Sequence, residues 1–160
     1  MNDIQIHDLK LAKSEILEQI FNINEGYNPF LGPLGNLDKL KELLKQSNYS
    51  IYLTNKEQIC AFSVCFRENS EYKSKNYKFF ENRFKKFFYI DRIGVVKTFK
   101  NKGIGTFIYK KISDICKKDK LPICAEVNIA PKNDESIKFH EKMGFCLLYT
   151  SDAADDCRCV

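Results

Sequence analysis

The 160-residue chain has no apolar run near the roughly 18 residues that a membrane-crossing helix needs. It has no CxxC pair, no Walker loop and no internal repeat, and its opening Met1-Asn2-Asp3 lacks the basic-then-apolar pattern of a secretory signal. These absences predict neither a membrane-spanning nor an exported protein but a cytoplasmic one. Its two histidines, His7 and His140, stand far apart, and Cys60 and Cys65 are five residues apart. Neither spacing suits a zinc site, so no metal is expected. Cys60, Cys65, Cys116 and Cys124 lie in apolar stretches, where a free thiol behaves as a small hydrophobe, and a reducing compartment follows. Hydrophobic residues at 44% and charged ones at 29% exclude a disordered chain. A chain of this length buries roughly two-thirds of its unfolded surface, enough for one domain with a real core.

What is present reads as a mixed α/β domain. Asp3 to Asp8 alternates polar and apolar, as a half-buried strand does. Leu11 to Phe21 repeats apolar residues at helical spacing (Leu11, Ile16, Ile20), and Asn22 to Gly35, with three glycines and two prolines, reads as a loop. Leu37 to Leu44 is a second helix. Ser50 to Thr54 and Ile59 to Phe66, joined by Asn55-Lys-Glu-Gln, predict an antiparallel hairpin. A polar connection over 68–78 precedes the strongest strand, Phe87 to Val96. Then come a helix over Gly103–Lys117, a strand over Leu121–Ile129, and a helix over Asn133–Met143 stopped by Gly144. Antiparallel strands first and strand–helix–strand–helix later give one mixed sheet.

Lys100-Asn-Lys-Gly-Ile-Gly-Thr106 lies between that strong strand and the following helix. Glycines at 103 and 105 let backbone come close to a ligand, and a helix start leaves its first amides without internal partners. Such a turn accepts phosphate, and Lys97, Lys100 and Lys102 add charge around it. The plainer reading is a glycine-softened turn with solvated lysines. A dinucleotide fingerprint would need a third glycine where Ile108 stands.

Lys100-Asn101-Lys102-Gly103-Ile104-Gly105 resembles the acyl-CoA signature Arg/Gln-x-x-Gly-x-Gly/Ala of the GNAT superfamily of N-acetyltransferases, with Lys at the first position. Ile93-Gly94-Val95 matches the preceding strand of the family, whose backbone pairs with the pantetheine arm. Asn133-x-x-Ser136-Ile-x-Phe139-His140-Glu-Lys-Met-Gly144-Phe145 matches its downstream helix motif. Tyr72-x-Ser74-x-Asn76, Tyr89-Ile-Asp91-Arg92-Ile and Glu126-Val-Asn128 are similar to a little-characterised bacterial subgroup of predicted acetyltransferases. The resemblance covers residues 1–145. It implies an α/β GNAT fold, a mixed, mostly antiparallel sheet splayed between strands 4 and 5. It implies acetyl-CoA as co-substrate on residues 93–95, 100–106, Asn133 and Phe139, and direct transfer to a primary amine, a small molecule or a peptide. A non-catalytic acyl-CoA sensor is the first alternative, and a homodimer is left open.

Direct transfer needs a base for the amine and an acid for the leaving thiolate. Glu126 and Asn128 share one face of the fifth strand by period two. Glu126 sits among Ile123, Ala125 and Val127, where desolvation favours a base, and is the first candidate; pairing with Arg92 or a lysine is the plainer reading. Asp91 is the second candidate base or a structural partner of Arg92. His140 occupies the place of the family's acid tyrosine and is the candidate acid or a packed histidine. Asn128 is expected to bind backbone, substrate or water.

Lys73, Lys75, Lys78, Arg83, Lys85 and Lys86 interleave with Phe79, Phe80, Phe84, Phe87 and Phe88. That pattern carries a second alternative, a basic RNA-associated protein. The plainer reading puts the aromatics in the core and the lysines on a solvated face that steers anionic CoA.

The last fifteen residues stand apart. Cys146-Leu-Leu-Tyr-Thr-Ser-Asp-Ala-Ala-Asp resembles one translated frame of a transposase-type sequencing adaptor, and after Phe145 the abundant Lys, Asn and Ile cease. The expectation is an acetyltransferase domain over 1–145, truncated at its C-terminus, and a non-native tail over 146–160. Without that tail, which holds three Asp and one Arg, the formal charge rises from +5 to +7. The family's last two strands would then be missing, leaving the fifth strand as an exposed edge, with Leu147-Leu-Tyr at most imitating a short strand.

Overall fold

The computed structural model describes residues 3–128, 130–148 and 155–159. A seven-stranded sheet forms its middle layer, in the order β1-β2-β3-β4-β5-β7-β6. The strands are β1 (Ile4–Asp8), β2 (Tyr49–Asn55), β3 (Gln58–Arg67), β4 (Phe88–Val95), β5 (Ile123–Asn128), β6 (Cys146–Leu148) and β7 (Asp155–Cys159). All neighbours are antiparallel except β4 and β5, which run parallel. The helices are α1 (Ser14–Glu25), α2 (Leu37–Gln46), α3 (Lys75–Glu81), α4 (Ile104–Lys117) and α5 (Asp134–Lys142).

β3 explains why both faces are covered. Every residue from Ile59 to Phe66 is buried, the pattern of a strand packed on two sides. Phe62, Val64 and Phe66 meet one core with Ile20, Leu40, Leu44, Tyr77 and Phe80 of α1, α2 and α3. Ala61 and Cys65 meet the other, with Ile104, Ile108, Ile112 and Cys116 of α4. Tyr77, Phe80, Phe87 and Tyr89 stand 5.4–6.5 Å apart between ring centroids, so truncating Phe80 to Ala would cost roughly 3–5 kcal/mol. The hairpin turn is two residues, Lys56 and Glu57, at φ 46° and 67°, the left-handed pair that matches strand twist.

Three sequence expectations shift. Leu11 does not join α1. Asp8 caps the backbone N–H of Lys10 at 2.8 Å, a 3-10 turn takes Leu9–Leu11, and Leu11 is 83% exposed. α1 runs on through residues read as loop to Glu25, because Asn24 is buried and its side chain bonds Glu25 and Gly32. The polar connection over 68–78 contains the first turn of α3, capped by the Ser74 hydroxyl.

Where the sequence reading expected an exposed edge on β5, the described residues of the tail cover it. Residues 155–159 pair with β5 from Cys124↔Cys159 to Asn128↔Asp155, and β6 continues the sheet beyond them. An uncovered β5 would present a row of free N–H and C=O groups, and any chain able to lie along it satisfies them. Ile129, which the sequence reading placed at the end of the fifth strand, and residues 149–154 and 160 of the predicted tail lie outside the described residues.

Cys60, Cys65, Cys116 and Cys124 are buried thiols outside any disulfide, as their apolar settings predicted. Among the described residues no group of His, Cys, Asp or Glu could hold a metal. No described helix is long and apolar enough to cross a membrane. In the basic-aromatic stretch, Phe80, Phe87 and Phe88 are buried and Phe79 and Phe84 pack on the core, while Lys73, Lys75, Lys85 and Lys86 are exposed.

Candidate active site

β4 and β5 pair only at Phe88↔Ile123, Tyr89↔Cys124 and Ile90↔Ala125. Beyond that point they part, and a cavity of about 640 Å³ opens between them, walled by α4 and α5. The register of β4 against β3 slips between Val64/Cys65, which face Arg92 and Ile90, so Asp91 is the extra residue of a β-bulge. Bulges bend a strand and redirect side chains, and this one stands where β4 leaves β5.

The turn that closes one end of the gap is built from backbone. Asn101 and Gly103 take φ 59° and 78°, a left-handed conformation that suits both residue types. Gly103 is the N-cap of α4 and has no side chain to cap it, so the first amides of the helix keep their capacity for an anion. Lys100 leans over the Tyr27 ring and pairs with Glu135 of α5 at 2.8 Å across the mouth. Asn101, Ile104, Gly105 and Thr106 line the cavity, but Lys102 lies outside the lining, over the Phe99 ring.

Two glycines have a packing role. A Cβ on Gly105 would stand 3.3 Å from the Phe139 ring, so its small size lets α4 approach α5. A Cβ on Gly94 would meet Phe62 at 2.5 Å, and Gly94 faces that core rather than the cavity. Ile93 and Val95 do line it. Val95 donates its N–H to the Tyr27 hydroxyl at 3.1 Å and accepts that hydroxyl's hydrogen on its C=O.

Tyr27 belongs to the α1–α2 loop, which straps across the gap. Asn128 of β5 donates to the Pro29 carbonyl at 3.0 Å, and Arg92 of β4 donates to the Gly32 carbonyl and, at 2.8 Å, to Asn24 Oδ1. Tyr27, Phe30 and Leu31 thereby roof the cavity. Asn128 is thus engaged with backbone.

The opposite end is built from side chains. Asp91 is 4% exposed, pairs with Arg92 Nε at 3.2 Å, and accepts from the Tyr72 hydroxyl at 2.8 Å. Burial pushes its carboxyl up; the Arg92 guanidinium and the hydroxyls of Tyr72 and Tyr89 pull against that. Tyr89 is fully buried, and burial together with the Glu126 and Asp91 carboxylates drives its hydroxyl well above the usual range. Glu126, half-buried on β5, lines the cavity with Asp91. Of the two carboxylates, Asp91 is the partner of Arg92.

His140 lines the third wall, 3% exposed, with Tyr109 of α4 at 2.6 Å from Nε2 and the Ser136 carbonyl at 2.7 Å from Nδ1. Asn133 caps α5 by accepting from the Ser136 N–H at 3.2 Å, and Phe139 packs on Tyr109. Tyr27 and Tyr109 escaped the sequence reading. Tyr27 sits in a Gly/Pro-rich loop that looks solvated, and Tyr109 joins the Ile104, Ile108, Ile112 stripe, where an aromatic reads as core.

A mixed sheet parted between two parallel strands, with an uncapped helix start facing the gap, is the fold of the GNAT acetyltransferases. The acetyltransferase (GNAT) family model matches residues 17–145, and the chain belongs to that family. Its sheet is similar to that of the ribosomal-protein-S18-alanine N-acetyltransferase of Escherichia coli, with TM-score 0.66 and 15% identity over 98% of this chain and 90% of that one. Arabidopsis thaliana Naa50, solved with the bisubstrate analogue CoA-Ac-MVNAL, superposes with TM-score 0.67 at 18% identity, over 98% and 96% of the two chains. A Pyrococcus horikoshii OT3 protein reaches TM-score 0.73 at 22% identity over the same shares. No curated protein matches the chain in sequence.

Proposed function

We propose that the chain transfers the acetyl group of acetyl-CoA directly to a primary amine, in a reducing, cytoplasmic setting. One observation carries this: the gap beyond Ile90 and Ala125 runs from an uncapped helix start to a pair of carboxylates, Asp91 and Glu126. The residues fit the co-substrate. The amides after Gly103, with Lys100, would hold the pyrophosphate, and Ile93 and Val95 offer backbone at the open side of β4. An amide-bearing arm there would compete with the Tyr27 hydroxyl for Val95, so the α1–α2 strap yields when the donor enters. Bound acetyl-CoA supplies the activated acyl carbon.

The chain supplies proton handling and position. Glu126 takes the proton of the attacking amine, directly or through water, and the buried Tyr89 hydroxyl, held neutral by burial and by the nearby carboxylates, does not compete for it. Asp91 holds Arg92, and Arg92 holds the strap through Gly32 and Asn24, so both are positioning residues. Asn128 anchors the strap from β5. The roof of Tyr27, Phe30 and Leu31 keeps water from the amine, which must be neutral to attack.

A thermal melt with acetyl-CoA tests the donor site. A rise in Tm that Gly103→Asp abolishes supports it, because that change puts a carboxylate in the anion turn and a side chain at φ 78°. An unchanged Tm in the well-folded wild-type chain would defeat it. Glu126→Gln separates catalyst from sensor: a catalyst keeps the acetyl-CoA shift and loses about 100-fold or more in turnover over a panel of primary amines.

A further inference from the structure

One pair on the cavity wall has no part in that scheme. Tyr109 lies six residues past Gly103, about 9 Å along α4 at 1.5 Å per residue. Tyr109 and His140 both line the cavity, and both are nearly fully buried. A backbone carbonyl can only accept, so Nδ1 of His140 carries a hydrogen for Ser136, whose hydroxyl lies 3.3 Å from the same nitrogen. In the neutral ring Nε2 is then an acceptor, and the Tyr109 hydroxyl donates to it at 2.6 Å. Phe139 and Phe145 stand edge-on to both rings, with centroids 5.1–5.6 Å away, and leave neither ring room to turn. Burial pushes the Tyr109 hydroxyl well above its usual range, so it gives up a proton only as His140 replaces it; burial also pushes the Cys65 thiol of β3 up to about 12, so it stays neutral. A tyrosine hydroxyl is thus fixed at the cavity wall, on the helix that starts at the phosphate turn, by a histidine whose tautomer the backbone sets.

Resting on the acetyl-transfer reading above, we propose that Tyr109 is the group that protonates the leaving thiolate and that His140 is its positioning residue. His140 does not meet the sulfur itself, because the Tyr109 hydroxyl occupies Nε2. With the imidazole protonated, both ring nitrogens donate, Nδ1–H to Ser136 and Nε2–H to the Tyr109 oxygen. The hydroxyl hydrogen of Tyr109 is then released from Nε2 and can turn to the cavity. As the amine nitrogen bonds to the acyl carbon, the C–S bond breaks and its electron pair stays on sulfur. Tyr109 gives its proton to that sulfur, and Nε2 of His140 gives its own to the Tyr109 oxygen. A neutral ring with Nδ1–H on Ser136 remains, the arrangement seen here, and solvent restores the second proton.

The test needs no amine. CoA and desulfo-CoA, in which hydrogen replaces the thiol, are titrated calorimetrically into the wild-type chain, Tyr109→Phe and His140→Gln. With the His140 ring protonated, the Tyr109 hydroxyl aimed at sulfur makes the wild type prefer CoA by about tenfold, the scale of one hydrogen bond to an ionised group. Tyr109→Phe should bring that ratio near one and leave desulfo-CoA affinity unchanged. The ultraviolet titration of the bound CoA thiol should also move up towards its free value. His140→Gln should lower the ratio by about threefold, and it provides the decisive reading if Tyr109→Phe does not fold. Equal ratios and equal thiol titrations in wild type and variant overturn the proposal and leave acetyl transfer standing. If neither ligand binds the wild type, the acetyl-transfer reading falls and takes this one with it.

Discussion

The two ends of the cavity are made in opposite ways. The turn end is seven consecutive residues, Lys100 to Thr106, and its binding groups are backbone amides at an uncapped helix start. The carboxylate end gathers Asn24, Tyr72, Tyr89, Asp91, Arg92 and Glu126 from α1, a loop and two strands, and its groups are side chains. The first is local and half in water; it can be remade by any short segment with the right backbone angles. The second is buried, and each of its members is held by the others. Function at the turn end should therefore be separable from stability, whereas at the carboxylate end the two should fail together.

The largest effect should come from Arg92→Met. It leaves the buried Asp91 carboxylate facing Tyr72 and Tyr89 without its cation and cuts the strap loose from β4. Breaking one partner of a buried pair costs about 3–5 kcal/mol, to be read from urea denaturation. A loss below about 1 kcal/mol would mean that the carboxylate end is as local as the turn. Gly103→Asp is the mirror case. Acetyl-CoA affinity should fall about 100-fold, the scale of a carboxylate set against phosphate plus a strained left-handed residue. The melting temperature without ligand should drop by only a few degrees.

The same contrast decides what could be read from the sequence. The turn announces itself because glycines, lysines and a helix start occur within seven letters, and the sequence places that helix to within one residue at its start. The α5 motif is legible likewise, from Asn133 as cap to Gly144 at φ 87°. The sequence marks Asp91 and Glu126 as candidates, but Tyr89 and Tyr72 become their partners only when β4 and the loop before α3 are folded. Asn24, 68 residues from Arg92, gives no local sign of that bond. Tyr109 was hidden for the opposite reason: an aromatic on an apolar helix stripe looks like filling, and only the 2.6 Å approach of His140 shows otherwise. Gly94 and Gly105 were legible as glycines, but their neighbours were not: a Cβ on Gly94 would meet Phe62 at 2.5 Å, and one on Gly105 would press on the Phe139 ring at 3.3 Å.

Asp91→Asn sharpens the comparison through pH. Burial raises the Asp91 carboxyl above its usual 3.8, so the folded chain holds this proton more tightly than the unfolded one. The group therefore costs stability in full above its folded pKa, and that cost is relieved as the pH falls through it towards 3.8. Relative to Asp91→Asn, wild-type stability should fall as pH rises through that window, with a slope of at most about 1.4 kcal/mol per pH unit. The ordinary pattern, a carboxylate that stabilises more as pH rises, would show that Arg92 outweighs burial.

Lys100→Met should produce the smallest change and tests the turn end alone. Lys100 is about one-third exposed and Glu135 about two-thirds, so their 2.8 Å pair is a solvated one. Such pairs contribute about 0–1 kcal/mol, and unliganded stability should stay within about 0.5 kcal/mol of wild type. Lys100 nonetheless stands at the anion turn, and its charge should draw a phosphate-bearing ligand. Acetyl-CoA affinity should weaken by about three- to tenfold at low salt, with the difference shrinking as ionic strength rises and the Debye length falls to about 8 Å. Glu135→Gln then gives the sign. If Lys100 serves the ligand, removing its competitor should tighten acetyl-CoA binding slightly. If the pair instead latches the mouth as a unit, both variants should weaken it, and the turn would no longer be a purely backbone site.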